Sequence, residues 1–245
     1  MKKVLVLNGS PKKNQSTTMY VTKAFVKGLE TGGEYKAEYL NISDLNIKKC
    51  LGCLSCWGRT EGECIIKSDD IPMVKEKILQ SDIILVSFPL FYFGMPGEVK
   101  CMLDRLLSIM NTYSGQLVPE DSSAPLHGFR YDMSGKKLVV ISGCAWNDDK
   151  VFTPLLGQLD CICGSEGYTA LFCPQIKAVV DRGGNRLERY LKHYEDAGQE
   201  FGANGALCAE TKELLKKTPF SSTVYQQILT SYWQQEREAG KKSGE

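Results

Sequence analysis

The sequence lacks an apolar run long enough to cross a bilayer. Its longest run after the N-terminus, residues 83–93, contains Ser87 and Pro89, whereas a spanning helix needs about 20 consecutive apolar residues. The first apolar run, residues 4–7, is followed at once by Asn-Gly-Ser-Pro, too early for the hydrophobic region of a signal peptide. These absences predict a cytoplasmic protein that has no membrane partner.

The chain also lacks an excess of charge of either sign. It has 30 Lys and Arg residues against 29 Asp and Glu, a formal net charge of +1. No basic stripe interleaved with aromatic residues is present, which argues against nucleic acid as a partner. Histidine is scarce, and the two histidines, His127 and His193, lie outside any recognised motif. We therefore assign no catalytic histidine, and no other side chain is given a catalytic role.

Short β-rich apolar runs alternate with helical patterns along the first 175 residues. The runs that predict buried strands are residues 3–8, 35–40, 82–88, 137–142 and 168–173. The patterns that predict helices cover residues 16–30, 97–110 and 152–164, and Asp70 is the candidate N-cap of a further helix. Such alternation indicates an α/β fold, a doubly wound five-stranded parallel sheet for which we expect the strand order 2-1-3-4-5.

The residues beyond the fifth strand exceed what such a sheet needs. We expect one domain at 1–178, a C-terminal helical extension at 179–239 and a disordered tail at 240–245. The extension is polar, yet its apolar positions must be buried against something. It is either a surface appendage or an arm that joins subunits, and we favour the arm, which predicts a homodimer or homotetramer.

The loop after the first strand carries the residue types that bind a phosphate. It combines hydroxyls and lysines with the N-terminus of a predicted helix, whose free N–H groups and dipole both favour an anion. The loop matches neither G-x-G-x-x-G nor G-x-x-x-x-G-K-[ST], which leaves the terminal phosphate of a mononucleotide as the expected ligand. The alternative is an ordinary polar turn in which Ser16 caps the helix. The candidate residues are Ser10, Lys12, Ser16, Thr17 and Thr18.

An aromatic loop follows the third strand and falls at the same predicted edge of the sheet. Its rings offer stacking area, and its backbone amides can reach the polar edge of a flat ligand. Packing in the core is the alternative for these rings. The candidate residues are Pro89, Leu90, Phe91, Tyr92, Phe93 and Gly94, with Ser142 and Gly143 after the fourth strand as further contacts, where a plain turn is the alternative.

These two loops resemble those of a known family. Residues 7–17, Leu-Asn-Gly-Ser-Pro-Lys-Lys-Asn-Gln-Ser-Thr, and residues 88–97 resemble the phosphate and flavin-ring loops of the NADPH-dependent FMN reductases, and Lys100 and Asp104-Arg105 are similar to the helix that follows. The likeness covers about residues 1–175. It implies a flavodoxin-like fold, FMN with its phosphate at Ser10, Lys12, Ser16 and Thr17 and its ring at residues 89–94, and NAD(P)H as co-substrate. We interpret Asp104-Arg105 as a structural ion pair or helix surface.

Four of the ten cysteines form a compact motif between the second strand and the next helix. They are Cys50, Cys53, Cys56 and Cys64. Thiols at this spacing suit a metal centre better than a disulfide framework in a reducing compartment. A [4Fe–4S] cluster, zinc, and free or redox-active thiols stay open as interpretations. The spacing resembles that of the iron–sulfur flavoproteins, a branch of the same FMN family, which implies a cluster.

The function expected from these features is an FMN-dependent oxidoreductase. It would pass electrons from NAD(P)H or a reduced carrier to an acceptor, through a [4Fe–4S] cluster if one is bound. Two alternatives remain. One is an electron carrier with a ferredoxin-like partner and no small-molecule substrate, and the other is a zinc-stabilised binding or regulatory module on the same scaffold.

Overall fold

The computed structural model describes residues 1–111 and 125–242. In that part of the chain five parallel strands form a single sheet. The strands are β1 (Lys2–Asn8), β2 (Tyr35–Asn41), β3 (Ile83–Pro89), β4 (Lys137–Gly143) and β5 (Thr169–Cys173). They lie in the order β2-β1-β3-β4-β5, which confirms the strand order and the α/β fold predicted from the sequence.

Helices cover both faces of this sheet. They are α1 (Thr17–Gly32), α2 (Ile71–Gln80), α3 (Gly97–Arg105), α4 (Thr153–Cys163), α5 (Ile176–Arg182), α6 (Gly184–Asn204), α7 (Ala209–Leu215) and α8 (Ser222–Lys242). The helix predicted over 97–110 ends at Arg105 and continues as a 3-10 turn, Leu106–Ile109. No helix in these residues is both long enough and apolar enough to span a membrane.

The strands send alternate side chains into two apolar layers, as the period of a β-strand requires. In β1, Val4 and Val6 lie in a layer with residues of α1, α5 and α6. Leu5 and Leu7 lie in the opposite layer with residues of α2, α3 and α4. Burial on both faces explains why β1 reads as a continuous apolar run.

Helix α6 belongs to the first of these layers. Tyr194 and Phe201 on α6 are buried in it, and α6 packs so closely on α1 that a Cβ at Gly28 would lie 1.8 Å from the Glu195 carbonyl oxygen. The boundary expected at residue 178 therefore falls inside α5 and marks no break in packing. The apolar positions of α6, which the sequence requires to be buried, are therefore covered by the sheet domain itself.

The C-terminal helix α8 extends to Lys242, so residues 240–242 are helical where a disordered tail was expected. Residues 243–245 lie outside the described residues. Asp70 also differs from its predicted role. It precedes α2 but makes no side-chain capping bond, because its Oδ2 accepts a hydrogen bond from the Asn46 N–H at 2.7 Å instead.

Candidate functional site

The carboxyl ends of β1, β3 and β4 bring the candidate loops to one edge of the sheet. Asn8 pairs with Ser87, and Pro89 pairs with Gly143. Beyond the strands, the Gly9 N–H donates to the Ser87 carbonyl at 2.8 Å and the Leu90 N–H donates to the Gly143 carbonyl at 2.8 Å. The loops after β1, β3 and β4 are therefore neighbours, as the strand order predicts for a ligand crevice.

Asn8 organises the first loop, a role the sequence motif did not reveal. Its side chain is buried; its Oδ1 accepts from the Ser10 N–H at 3.1 Å and its Nδ2 donates to Asn41 Oδ1 at 3.0 Å. Ser10 in turn accepts from the Lys12 N–H through its Oγ at 3.3 Å. The asparagine thus ties the loop to β2 and folds it back over the strand end, which leaves Lys12 exposed to solvent.

The N-terminus of α1 has no side-chain cap. Ser16 occupies the N-cap position with an extended backbone but makes no side-chain capping hydrogen bond. The first N–H groups of a helix have no partner within it, and they favour an anion. The Thr18 Oγ1 is also buried without a hydrogen-bond partner in the part of the chain that the structure describes. The donors that a phosphate needs are present here.

Helix α3 packs directly against this loop. A Cβ at Gly9 would lie 2.1 Å from Val99 Cγ2 and 3.2 Å from Phe88 Cβ. Both neighbours are buried, so neither can move aside freely. The glycine after Asn8 is therefore needed for the loop to reach its position.

The aromatic loop forms a tight two-residue turn. Phe91 and Gly94 exchange backbone hydrogen bonds of 3.0 Å each, and the two central residues, Tyr92 and Phe93, have φ values of 47° and 66°. A turn with positive φ at both centres is normally built from Asn and Gly. Two aromatic residues in this conformation store strain of about 1–3 kcal/mol each, a feature that clusters at ligand sites.

The rings of this turn point away from the core. Tyr92 is 98% exposed, and Phe91 and Phe93 are about half exposed. Core packing, the alternative interpretation of these rings, is therefore wrong. A strained turn that displays three aromatic side chains beside an uncapped helix N-terminus is suited to bind a flat ligand.

The end of β4 supplies a second unsatisfied hydroxyl. Ser142 Oγ is buried and has no partner among the described residues. Its neighbour Gly143 is close to the first loop, since a Cβ on it would lie 3.1 Å from Thr18 Oγ1. Hydroxyl groups without partners at a strand end remain available to a bound group.

The four cysteines of the motif lie together in the loop between β2 and α2. They line one small cavity with Arg105 and Leu107. Burial raises the pKa of the Cys56 thiol, and the charges of Cys64, Cys50 and Cys53 raise it further. In residues 1–111 and 125–242, no group of three or more Cys, His, Asp or Glu side chains, these four thiols included, is placed to hold a metal ion.

Arg105 holds both ends of this cysteine loop through hydrogen bonds. The Arg105 Nη1 donates to the Lys48 carbonyl at 2.7 Å, and its Nη2 donates to the Ile66 carbonyl at 2.9 Å. Both Arg105 and Asp69 side chains have no solvent exposure, and they form an ion pair at 2.5 Å. Asp69 also accepts from the Lys48 N–H at 3.0 Å. The guanidinium therefore closes the loop at both ends.

Asp104 and Arg105, interpreted from the sequence as a structural ion pair or helix surface, each pair with a different residue. Asp104 bonds the exposed Lys100 on the surface of α3, whereas Arg105 faces inward to Asp69, 36 residues earlier. Burial acts to raise the pKa of the Asp69 carboxyl, but hydrogen bonds from Arg105 and from the Lys48 N–H outweigh burial and hold that pKa below its ordinary value.

Two further side chains hold the outer part of the loop. Lys75 on α2 is buried, and its Nζ donates to the Gly62 carbonyl and to Glu63 Oε1, both at 2.6 Å. The indole N–H of Trp57 donates to the Leu107 carbonyl at 3.0 Å. The cysteine loop is therefore a fixed part of the fold.

Helix α3 connects the two candidate sites. It begins just after the aromatic turn and ends at Arg105, over nine residues, a length of about 13 Å at 1.5 Å per residue. One short helix thus separates the aromatic turn at the sheet edge from the cysteine loop within the same chain.

The family of the chain follows from comparison with known proteins. A family model described as flavodoxin-like fold matches residues 2–147, and the chain belongs to this family. This confirms the resemblance drawn from the two loops. An iron–sulfur flavoprotein of Archaeoglobus fulgidus is 34% identical over 103 residues, which are 42% of this chain and 48% of that protein.

Other relatives extend the comparison. An iron–sulfur flavoprotein of Methanocaldococcus jannaschii is 31% identical over 103 residues, 42% of this chain and 51% of that protein. The chain spans about half the length of these curated relatives. Among solved structures, an NAD(P)H:quinone oxidoreductase from Methanothermobacter marburgensis superposes with a TM-score of 0.58 at 15% identity, covering 84% of this chain and 99% of that one. At this identity the likeness shows the fold alone.

Proposed function

We propose that the protein is a cytoplasmic FMN-dependent oxidoreductase that takes electrons from NAD(P)H. The observation that carries the proposal is the convergence of an uncapped helix N-terminus and a strained aromatic turn at one sheet edge, with two unpartnered hydroxyls, Thr18 Oγ1 and Ser142 Oγ, close by. FMN, when bound, supplies the hydride-accepting chemistry, and the protein supplies binding and orientation. The two relatives named iron–sulfur flavoproteins support a bound flavin.

The phosphate would be held at the start of α1. The hydroxyls of Ser10, Ser16 and Thr17 and the ammonium of Lys12 would complement the amide groups of the first helical turn. Asn8 fixes the backbone of this loop, so these donors are arranged before a ligand arrives. Such prearrangement reduces the entropy lost on binding.

The flavin ring would lie against the turn at Phe91, Tyr92 and Phe93. The end of β4 at Gly143, which accepts a hydrogen bond from the Leu90 N–H, would border the same space. No acid or base is needed from the protein for hydride transfer itself, which agrees with the absence of an assigned catalytic residue. The role of these residues is to orient the ring and to exclude water from one face.

The visible spectrum of the purified protein, followed by NAD(P)H oxidation assays, tests this proposal. Flavin bands that persist through gel filtration, together with turnover of NADH or NADPH, would support it. Flavin bands without NAD(P)H turnover would favour the electron carrier with a ferredoxin-like partner. A colourless protein that does not bind added FMN would refute it.

We further propose that the cysteine loop holds a [4Fe–4S] cluster. A zinc ion requires four sulfurs about 2.3 Å from one point, whereas these thiols surround a cavity without converging. A cluster takes one thiolate at each of several irons, so its ligands stand further apart. The buried guanidinium of Arg105 beside the thiols suits an anionic cluster.

Iron, sulfide and zinc assays on protein purified without oxygen test the cluster. We expect about four irons per chain, and loss of iron without loss of FMN in Cys56→Ser. Cys208→Ser is the matched control, because Cys208 is an exposed cysteine at the start of α7. One zinc and no sulfide would refute the cluster in favour of a structural metal. If the protein held neither iron nor zinc, the four cysteines would be free or redox-active thiols.

The homodimer or homotetramer expected from the C-terminal helices also remains a proposal. Half of α8 beyond Leu229 is largely exposed, which is consistent with a surface that another subunit covers. Light scattering on the full chain distinguishes a monomer from an oligomer.

A further inference from the structure

A cavity lies between helix α6 and the segment that follows α7. Its volume is about 310 Å³, and α6 and residues 214–219 form its lining. None of its lining residues belongs to the loops after β1, β3 and β4 or to the cysteine loop. Pockets that bind small molecules in proteins begin at about 300 Å³, so this cavity has room for a small organic ligand.

The charged residues that line this cavity are all basic. They are Arg186 and Arg189 on α6 and Lys217 after α7, and no Asp or Glu is among the lining residues. His193 on α6 adds an imidazole that can donate a hydrogen bond. A cleft lined by charges of one sign raises the local concentration of ions of the opposite sign. We call it the basic cavity.

The three cations of the basic cavity form no ion pair with any carboxylate in the part of the chain that the structure describes. Neighbouring lysines do form such pairs. Lys192 on the same helix pairs with Asp196 at 2.8 Å, and Lys216 pairs with Glu213 at 2.6 Å. The charge that stays unpaired is therefore concentrated around the cavity, where a bound anion can neutralise it.

The position of Arg186 favours a bound anion for a second reason. Arg186 lies in the first turn of α6, a turn that contains no acidic residue, and Gly183 at the N-cap provides no side-chain capping bond. A cation at the N-terminus of a helix opposes the positive end of the helix dipole, whereas an anion there is stabilised. Such departures from local preference occur mainly at functional or strained sites.

The guanidinium of Arg186 is fixed before any ligand binds. Its Nη1 donates to the Pro219 carbonyl at 3.0 Å, and its Cζ lies 4.6 Å from the centre of the Phe220 ring. Phe220 is held in turn by the buried Gln175, whose Nε2 donates to the Phe220 carbonyl at 3.1 Å and whose Oε1 accepts from the Phe220 N–H at 2.9 Å. A fixed guanidinium loses less entropy when it binds an anion.

Two buried tyrosines, Tyr190 and Tyr194, also line the cavity. Their hydroxyl oxygens are 3.1 Å apart, and burial raises the pKa of both phenols well above the ordinary value. Both side chains are therefore neutral at neutral pH and add no negative charge that would repel an anion. Together with Leu214 they give the cavity an apolar part, which a bare inorganic ion would leave unused.

We propose that the basic cavity binds a phosphorylated small molecule, with the phosphate held by Arg186, Arg189 and Lys217. Guanidinium groups form paired hydrogen bonds with phosphate oxygens, which favours phosphate over a spherical anion such as chloride. The organic part of the ligand would contact Tyr190 and Leu214. This site is separate from the one proposed for FMN, and its occupation does not depend on a bound flavin.

Calorimetric titration of the full-length protein with phenyl phosphate tests the site. We expect Arg189→Gln to weaken binding at least about tenfold, because a charge-assisted hydrogen bond is lost. Lys217→Gln, in a different segment, should weaken it by a similar factor. Lys192→Gln is the matched control: it removes a charge from the same helix that Asp196 already neutralises, and it should change binding less than about twofold. Inorganic phosphate should bind more weakly than phenyl phosphate, because it lacks the ring.

Three results would overturn the proposal. The first is a wild-type protein that shows no saturable binding of phenyl phosphate. The second is equal weakening by Arg189→Gln and Lys192→Gln, which would show general attraction to surface charge. The third is loss of binding in Lys12→Gln but not in Arg189→Gln, which would place the phosphate at the loop after β1. Urea midpoints of all variants check that each one is folded.

Competition with NADP⁺ and NAD⁺, which differ only in the 2′-phosphate, identifies the source of the phosphate. Displacement of phenyl phosphate by NADP⁺ and not by NAD⁺ would support the site and assign it to the 2′-phosphate of a dinucleotide. Displacement by neither would support a site for a different phosphorylated compound.

Discussion

The guanidinium of Arg105 and the carboxylate of Asp69 form an ion pair from which solvent is excluded on both sides. The pair lies beneath the cysteine loop and joins α3 to the segment before α2. Its remaining hydrogen bonds go to the Lys48 and Ile66 carbonyls, while the Arg105 Nε has no hydrogen-bond partner among the described residues. A buried pair of this kind resists the loss of either partner.

Replacing Arg105 with Ala should destabilise the protein by about 3–5 kcal/mol, because the Asp69 carboxylate would stay buried without a counter-charge. Urea unfolding followed by circular dichroism measures this change. Lys100→Ala on the same helix is the matched control, since it removes an exposed pair with Asp104 and should cost less than about 1 kcal/mol. Equal losses in the two variants would contradict the structural role of Arg105.

The same pair predicts how stability depends on pH. The pKa of Asp69 is lowered in the folded protein from its ordinary value of 3.8, so its contribution is complete above that value and is lost as pH falls through the lower, folded pKa. Stability of the wild type should therefore exceed that of Asp69→Asn at pH 6, and the difference should shrink below about pH 4. Urea midpoints of both proteins between pH 6 and pH 3 measure it. A difference that stays constant would show that the pKa of Asp69 is the same in the folded and the unfolded protein.

Relieving the strain of the aromatic turn should raise the stability of the protein and weaken ligand binding. Tyr92→Asn with Phe93→Gly replaces two aromatic residues at positive φ with residues that prefer that conformation. We expect the double variant to be more stable by about 1–3 kcal/mol and to bind FMN at least about tenfold more weakly, because the stacking surface is lost. Thermal unfolding of the protein without flavin and FMN titration measure the two effects separately. A variant that gains stability and keeps full FMN affinity would exclude these rings from the flavin site.

The fold and the position of the candidate site could be predicted from sequence because both depend on short-range patterns. The β-rich run of residues 3–8 and the loop that follows it contain their own signals, and the order of parallel strands then brings the loops together. Arg105 gave no such signal: a single arginine on an amphipathic helix reads as surface, and its partner lies 36 residues away. The contact of Tyr225 with Ala145 spans 80 residues and is equally invisible to local patterns.

Gly9 offers a test of the phosphate loop that leaves every proposed ligand in place. Gly9→Ala would place a Cβ 2.1 Å from Val99 Cγ2, and the loop must then shift away from α3. Overpacking of this kind costs about 1–3 kcal/mol, and displacement of Ser10 and the start of α1 should weaken FMN binding at least about tenfold. Gly157→Ala on α4, where a Cβ meets nothing within 4 Å, is the control and should instead stabilise the helix by about 1 kcal/mol. FMN titration with urea unfolding of each variant measures both quantities. If Gly9→Ala lost stability but bound FMN as tightly as the wild type, the phosphate would have to lie away from this loop.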